Sequence, residues 1–225
     1  MYGGAGAYVI PVHPPADNKT KIFVAPSNPW NNQHYRSKLA NIIQEKYLDR
    51  GYLGARTVDK KLKLHAQRDV PLAKSITDLI NFHPYHPSWP GLDGGYRPPH
   101  SLYYENTFIS IYAETIENGS SIIVSEKTFD PLIKGHFIFP FSNAGFISHI
   151  KNFYGFKFPE FIDYSYDSIE DDDQRFASYA NELNRLMNLS NWAELWTANY
   201  EIIKHNQQIF FDRPYHKIDF QPLLS

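Results

Sequence analysis

The chain of 225 residues contains no cysteine and only two methionines, and that first absence excludes a disulfide framework, a thiolate metal site and a cysteine nucleophile. An excess of one charge sign is also missing. Lys plus Arg number 22 against 24 Asp plus Glu, so the formal net charge of −2 gives no global positive field for nucleic acid or an anionic bilayer. Local basic patches and a nucleic-acid acceptor stay open. No apolar run approaches the roughly 18 residues of a membrane-spanning helix. The opening MYGGAGAYVIPVHPP has neither a basic segment nor a long apolar stretch, so no secretory signal is expected and the cytoplasm, of a host cell if the source is viral, is the expected address. What the chain does have is aromatic weight, with 16 Tyr, 16 Phe and 4 Trp, and enough length to bury on the order of 70% of its unfolded surface without staples.

Residues 1–20 read as a Gly/Pro-rich arm, and 21–225 as one domain. Lys21–Ala25 is a short apolar run ended by Pro26 and predicts a buried strand. Tyr35, Leu39, Ile42, Ile43 and Tyr47 recur at three- and four-residue steps and predict a helix stopped by Gly51. Residues 52–69 are basic and weakly patterned, 72–82 predict a second helix, and 83–100 form a Pro/Gly/aromatic loop of the length that is usually functional. Strands are expected at 108–112, 136–140 and 161–163. Helices are expected at Ser125–Lys134, 144–153, 172–188 and 192–211. Pro131 complicates the first of these, since it fits a helix starting at Asp130 better than one capped by Ser125. Alternating strands and helices predict an α/β domain with an open, mostly parallel sheet covered by helices on both faces.

In such sheets ligands bind beyond the carboxyl ends of the strands, where helix N-termini face outward. Two segments deliver charge there: His34-Tyr35-Arg36 and Ser125-Glu126-Lys127-Thr128. A carboxylate can accept both hydroxyls of a ribose while an adjacent ammonium meets a phosphate, so the pair suits a nucleoside diphosphate. A solvent-facing pair in a first helical turn is the plain alternative, as a surface role is for Arg36 and Lys38. His136 reads either as a buried strand-start residue or as a ligand-facing one. His83, His86 and His100 sit in the Pro-rich loop without a rigid third ligand, so no metal site and no cofactor is expected.

The stretch Phe108-Ile-Ser-Ile-Tyr-Ala-Glu-Thr115, followed by Val124-Ser-Glu-Lys-Thr-Phe-Asp-Pro-Leu-Ile-Lys-Gly-His136, resembles the nucleotide-sugar motif of the α1,3-fucosyltransferases and of phage and bacterial glycosyltransferases with a Ser-Glu-Lys-Thr-Phe form. That resemblance implies a single lobe of GT-B type, the Rossmann-like C-terminal lobe that binds the donor. It also implies a metal-independent transfer from a nucleoside diphosphate sugar. Glu126 would hold the ribose, Lys127 and Arg36 the diphosphate, and Glu114 or Thr115 would approach the sugar or base. Ser125, Thr128, His34 and the Asn143-Ala144-Gly145 turn would border the same site. Ala113 and Glu114 stand where the family has Glu and Asn. The family's acceptor lobe has no counterpart in the 20-residue arm, so either a partner chain would supply it or the chain is a shortened or repurposed lobe. Glu114, Glu105 and Asp93 are the nearest carboxylates to consider as a base. The alternative is a non-catalytic nucleotide-binding or structural subunit of a larger assembly, viral in one version.

Overall fold

A computed structural model of the chain describes residues 19–27, 34–55, 101–115 and 121–212. The arm apart from its last two residues, the predicted helix at 72–82 and the aromatic loop at 83–100 lie outside the described residues.

Four parallel strands form one sheet in the order β2-β1-β3-β4, with β1 Phe23–Ser27, β2 Gly51–Ala55, β3 Ile109–Ala113 and β4 Phe137–Phe141. Helix α1 (His34–Lys46) leads from β1 to β2, α2 (Ser101–Glu105) precedes β3, and α3 (Glu126–Ile133) leads from β3 to β4. After β4 come α4 (Phe146–His149), a π-helical turn (Ile150–Tyr154), α5 (Asp172–Met187), α6 (Trp192–Ala198) and α7 (Tyr200–Asp212). The expected α/β class and covered parallel sheet are the architecture found. Both faces are apolar because both are buried. On one face Phe23, Ile109, Ile111, Phe137 and Phe139 meet α1 and α5, and on the other Tyr112 and Ile138 meet α3 and α4. That is why β3 and β4 read as continuous apolar runs rather than alternating ones.

Several boundaries differ from the sequence expectation. Strand β2 was not expected, because two glycines weaken its signal and Gly51 reads as a helix stop. The reason for Gly51 is instead close approach: a Cβ there would sit 2.5 Å from the Phe23 carbonyl oxygen of the neighbouring strand. Ser125 does cap α3, accepting from the Lys127 N–H at 3.3 Å, and Pro131 is held inside the helix rather than at its first position. The long C-terminal helix is broken at Asn199, whose side-chain amide donates to the Leu195 carbonyl at 2.8 Å.

The strand expected at 161–163 is absent, and residues 161 and 162 form a turn and a bend. Strand β4 ends the sheet here because its outer carbonyls are already taken. Tyr164 and Tyr166 hydroxyls donate to the outward Ile138 and Pro140 oxygens at 2.7 Å each, while Tyr179 donates at 3.1 Å to the Phe139 oxygen, which lies on the β3 side. Pro140 supplies no N–H for a further strand, which is tolerable only on an edge.

Pro26 has the opposite consequence in the middle of the sheet. Strand β1 pairs with β2 along its whole length but with β3 only at Phe23 and Val24. The β1–β3 ladder therefore opens toward the carboxyl end, beside the proline that lacks a donor. The chain leaves β1 for β2 on one side and returns to β3 on the other, so this opening is the topological switch point of the sheet.

Candidate functional site

Arg36 fills that opening. It lies in the first turn of α1, is buried, and its Nη2 donates to the Ala113 carbonyl at 3.1 Å and to the Glu114 carbonyl at 2.7 Å. The guanidinium thereby joins the helix after β1 to the end of β3, where strand pairing between them has lapsed. Tyr35, its neighbour, packs on Phe141 and Phe176 and donates to Asp173 at 3.1 Å. Burial, and then that bond to Asp173, push the Tyr35 hydroxyl up to about 12. His34 is exposed and meets only the edge of the Tyr35 ring among the contacts resolved.

Glu114 follows β3 directly and is fully buried. Its Oε1 accepts from the Ser125 N–H at 3.3 Å and the Thr128 hydroxyl at 2.6 Å, while Oε2 accepts from the Thr115 N–H at 3.1 Å and the Ser125 hydroxyl at 2.6 Å. A carboxylate offers about four lone-pair sites, so this one is saturated. Because Thr128 gives its hydrogen to Glu114, the Tyr112 hydroxyl at 2.8 Å must donate to Thr128, completing a buried chain from the sheet to the helix start. Glu114 thus clamps together the two ends of the connection between residues 115 and 125. Serving as a general base would require it to release one of those donors. The negative charge favoured at the N-terminus of α3 is supplied internally by this side chain.

Lys127 projects from the first turn of α3 toward the same rim, and its Nζ donates to the exposed Thr115 hydroxyl at 3.2 Å. Its side chain is largely buried. The side chain of Glu126 lies outside the described residues. Asn143, beyond the end of β4, donates through Nδ2 to the Ser121 carbonyl, which orients its amide; its Oδ1 is buried with no hydrogen-bond partner.

Arg36, Thr115, Ser125, Lys127 and Thr128 therefore converge on the carboxyl end of β3, with Glu114 beneath them. Two other candidates do not join them. Glu105 ends α2 and His136 precedes β4, so both sit at the amino end of the sheet, the edge opposite the rim. Asp93 lies outside the described residues. His136 is buried, its Nε2–H donates to the Tyr104 carbonyl at 2.7 Å, and its Nδ1 accepts from the Ser110 hydroxyl at 3.0 Å. Nearby, Lys19 donates to the Tyr104, Glu105 and Thr107 carbonyls at 2.6–3.2 Å. Burial lowers the Lys19 ammonium to about 8.

Burial, and then the neighbouring Lys19 charge, hold the His136 imidazole well below its ordinary range. The unfolded ring binds a proton near pH 6.5 while the folded ring resists it, so acid favours unfolding. Stability is therefore expected to fall below pH 6.5 by up to about 1.4 kcal/mol per pH unit from this group alone. Urea midpoints at pH 7 and pH 5 check this, and His136→Gln should flatten the dependence.

Sequence reasoning gave Tyr112 no polar role and read Pro26 only as the end of a strand, whereas β1 continues through Pro26 to Ser27. Tyr112 was visible only as an aromatic in a strand, and its polar role needed the partner at Thr128. Pro26 carried a usable signal, since a proline at the end of a central strand breaks a ladder. Among the described residues, no group of three His, Asp or Glu side chains is placed to hold a metal ion, and no helix is long and apolar enough to cross a membrane. No protein family, curated protein or solved structure matches the chain.

Proposed function

We propose that this domain binds a nucleoside diphosphate sugar at the carboxyl end of β3 and acts as the donor lobe of a GT-B-type glycosyltransferase. One observation carries the reading. Arg36 of the first helix, and Thr115 and Lys127 at the two ends of the connection between β3 and α3, meet at the carboxyl end of an open parallel sheet beside its switch point, where such folds bind ligands.

In this reading the Lys127 ammonium meets the diphosphate, with the Thr115 hydroxyl beside it, and the ribose is assigned to Glu126 by the resemblance alone. Arg36 contributes a fixed positive charge from below, since its Nη2 is turned to two backbone carbonyls. As the glycosidic bond to the donor breaks, negative charge grows on the leaving diphosphate, and these two cations stabilise it electrostatically. Glu114 is a positioning residue: it sets Ser125 and Thr128, and through them the first turn that carries Lys127. Among the described residues none is assigned as the base that activates an acceptor, and a partner chain with an acceptor lobe would bring one.

The saturation of Glu114 favours a second reading, a nucleotide-binding subunit without catalysis. Calorimetric titration with UDP, GDP, ADP and CDP tests what both readings share, and binding of at least one at micromolar to millimolar concentration is expected. Binding of none of the four would overturn both. Release of free sugar from the matching nucleotide sugar then separates the transferase from the binder.

A further inference from the structure

At the amino end of the sheet, away from the rim, two basic side chains share one acceptor. Helix α2 ends at Glu105, and the last carbonyls of a helix have no partner within it. Lys19 caps them. Its ammonium holds three hydrogens and has three oxygens to meet, those of Tyr104 at 3.0 Å, Glu105 at 3.2 Å and Thr107 at 2.6 Å. It also stands 5.6 Å from the Phe108 ring centre and 5.5 Å from that of Trp196. The Tyr104 oxygen accepts a second hydrogen, from His136 Nε2 at 2.7 Å. A carbonyl cannot donate, so this bond fixes the tautomer and leaves Nδ1 to accept from Ser110.

The surroundings of the imidazole suit a neutral ring. Among the described residues, the charged groups that act on it are Lys19, from the chain before β1, and Lys134, from the end of α3. Glu105 and Asp130 offset those two lysines. Toward β3 the ring meets the Thr107 and Ser110 hydroxyls, and toward α2 it packs edge-on against the Tyr104 ring, whose centre lies 4.4 Å from the Lys134 ammonium. Protonation would set a further cation against Lys19 on one shared oxygen and turn Nδ1 into a donor facing a hydroxyl. Which contact gives way follows from how each is held. His136 is followed at once by β4, paired with β3 along its whole length, whereas Lys19 precedes the first strand and reaches α2 through its side chain.

We propose that the Tyr104 carbonyl is a junction at which protonation of His136 displaces the Lys19 ammonium, freeing the chain that leads into β1 from the end of α2. None of these residues belongs to the rim, so the device is independent of the nucleotide reading. The closed ring resists the proton, while the released ring regains its ordinary basicity near pH 6.5. The open form therefore gains up to about tenfold in population for each pH unit below 6.5, and nothing above it. Coupling is mutual: a lysine that the proton expels must itself hold the proton off.

Amide exchange of the full chain, corrected for the intrinsic effect of pH, reads the junction at Lys21, whose N–H donates to the Asn106 carbonyl at 3.1 Å just past α2. Lys21 protection is expected to be lower at pH 5 than at pH 7 by up to roughly 25-fold, and at both pH values to stay below that of Tyr179 in the core, which reports global opening. His136→Gln, which keeps a donor and an acceptor, should remove the pH effect. In Lys19→Met the His136 ring, followed through its carbon-bound protons, should be more protonated at pH 5 than in the parent. The device is overturned if Lys21 protection is the same at both pH values, if it matches that of Tyr179, if His136→Gln leaves the effect in place, or if the ring in Lys19→Met takes up no more proton than the parent's.

Discussion

Replacing Lys127 with alanine is expected to weaken nucleoside diphosphate binding by about 10- to 100-fold, the loss of one charge-assisted hydrogen bond of roughly 1.5–3 kcal/mol. The fold should survive. The ammonium donates to the exposed Thr115 hydroxyl, and the helix start is held by Ser125 and Glu114 independently of it. Lys127→Arg keeps the charge but changes its shape, so it should recover part of the affinity. Calorimetry on the three proteins, with melting curves as the control for folding, gives the comparison. An unchanged dissociation constant in Lys127→Ala would remove this residue from the site.

Arg36→Met is expected to destabilise the fold by about 3 kcal/mol, because two carbonyls would lose a buried charged donor and an apolar chain would face them. For a chain of this size that corresponds to a melting temperature lower by roughly 6–12 °C. The size of the effect follows from position rather than charge. Pro26 ends the pairing of β1 with β3, and Arg36 supplies at Ala113 and Glu114 the donor that the strand does not. Arg36→Lys should fall between the two, since a single ammonium reaches one carbonyl well and two poorly. A Met variant that melts with the parent would show that the two carbonyls find other donors and that the guanidinium is not what closes the sheet.

The layers of this fold were legible where the pattern was local. Apolar runs at 108–112 and 136–140 and helical spacing from Tyr35 to Tyr47 each state their element without reference to the rest of the chain, whereas Pro131 pointed to a helix start at Asp130 and hid the Ser125 cap. Pairing was less legible. Strand β2 depends on Gly51 fitting against Phe23, and the absent strand at 161–163 depends on tyrosines 164 and 166 reaching the edge of β4 first. The site divides in the same way. The residues opening α3 and Arg36 could be grouped by their helix starts, because the rim of a parallel sheet gathers such positions, while Glu114 and Thr115 were reached only through the resemblance. Spacing alone could not show that Glu114 has no acceptor capacity left, nor that His136 and Glu105 face the opposite end. Those facts belong to three-dimensional hydrogen bonding, which a linear pattern does not encode.

Backbone amide mapping with the tightest of the four nucleoside diphosphates addresses the rim most directly. The expected outcome is a saturable set of shifts centred on Thr115 and Ser125–Thr128, lost in Lys127→Ala. Shifts confined to other surfaces, or the same pattern undiminished in that variant, would contradict the assignment and leave the parallel α/β sheet without the function proposed for it.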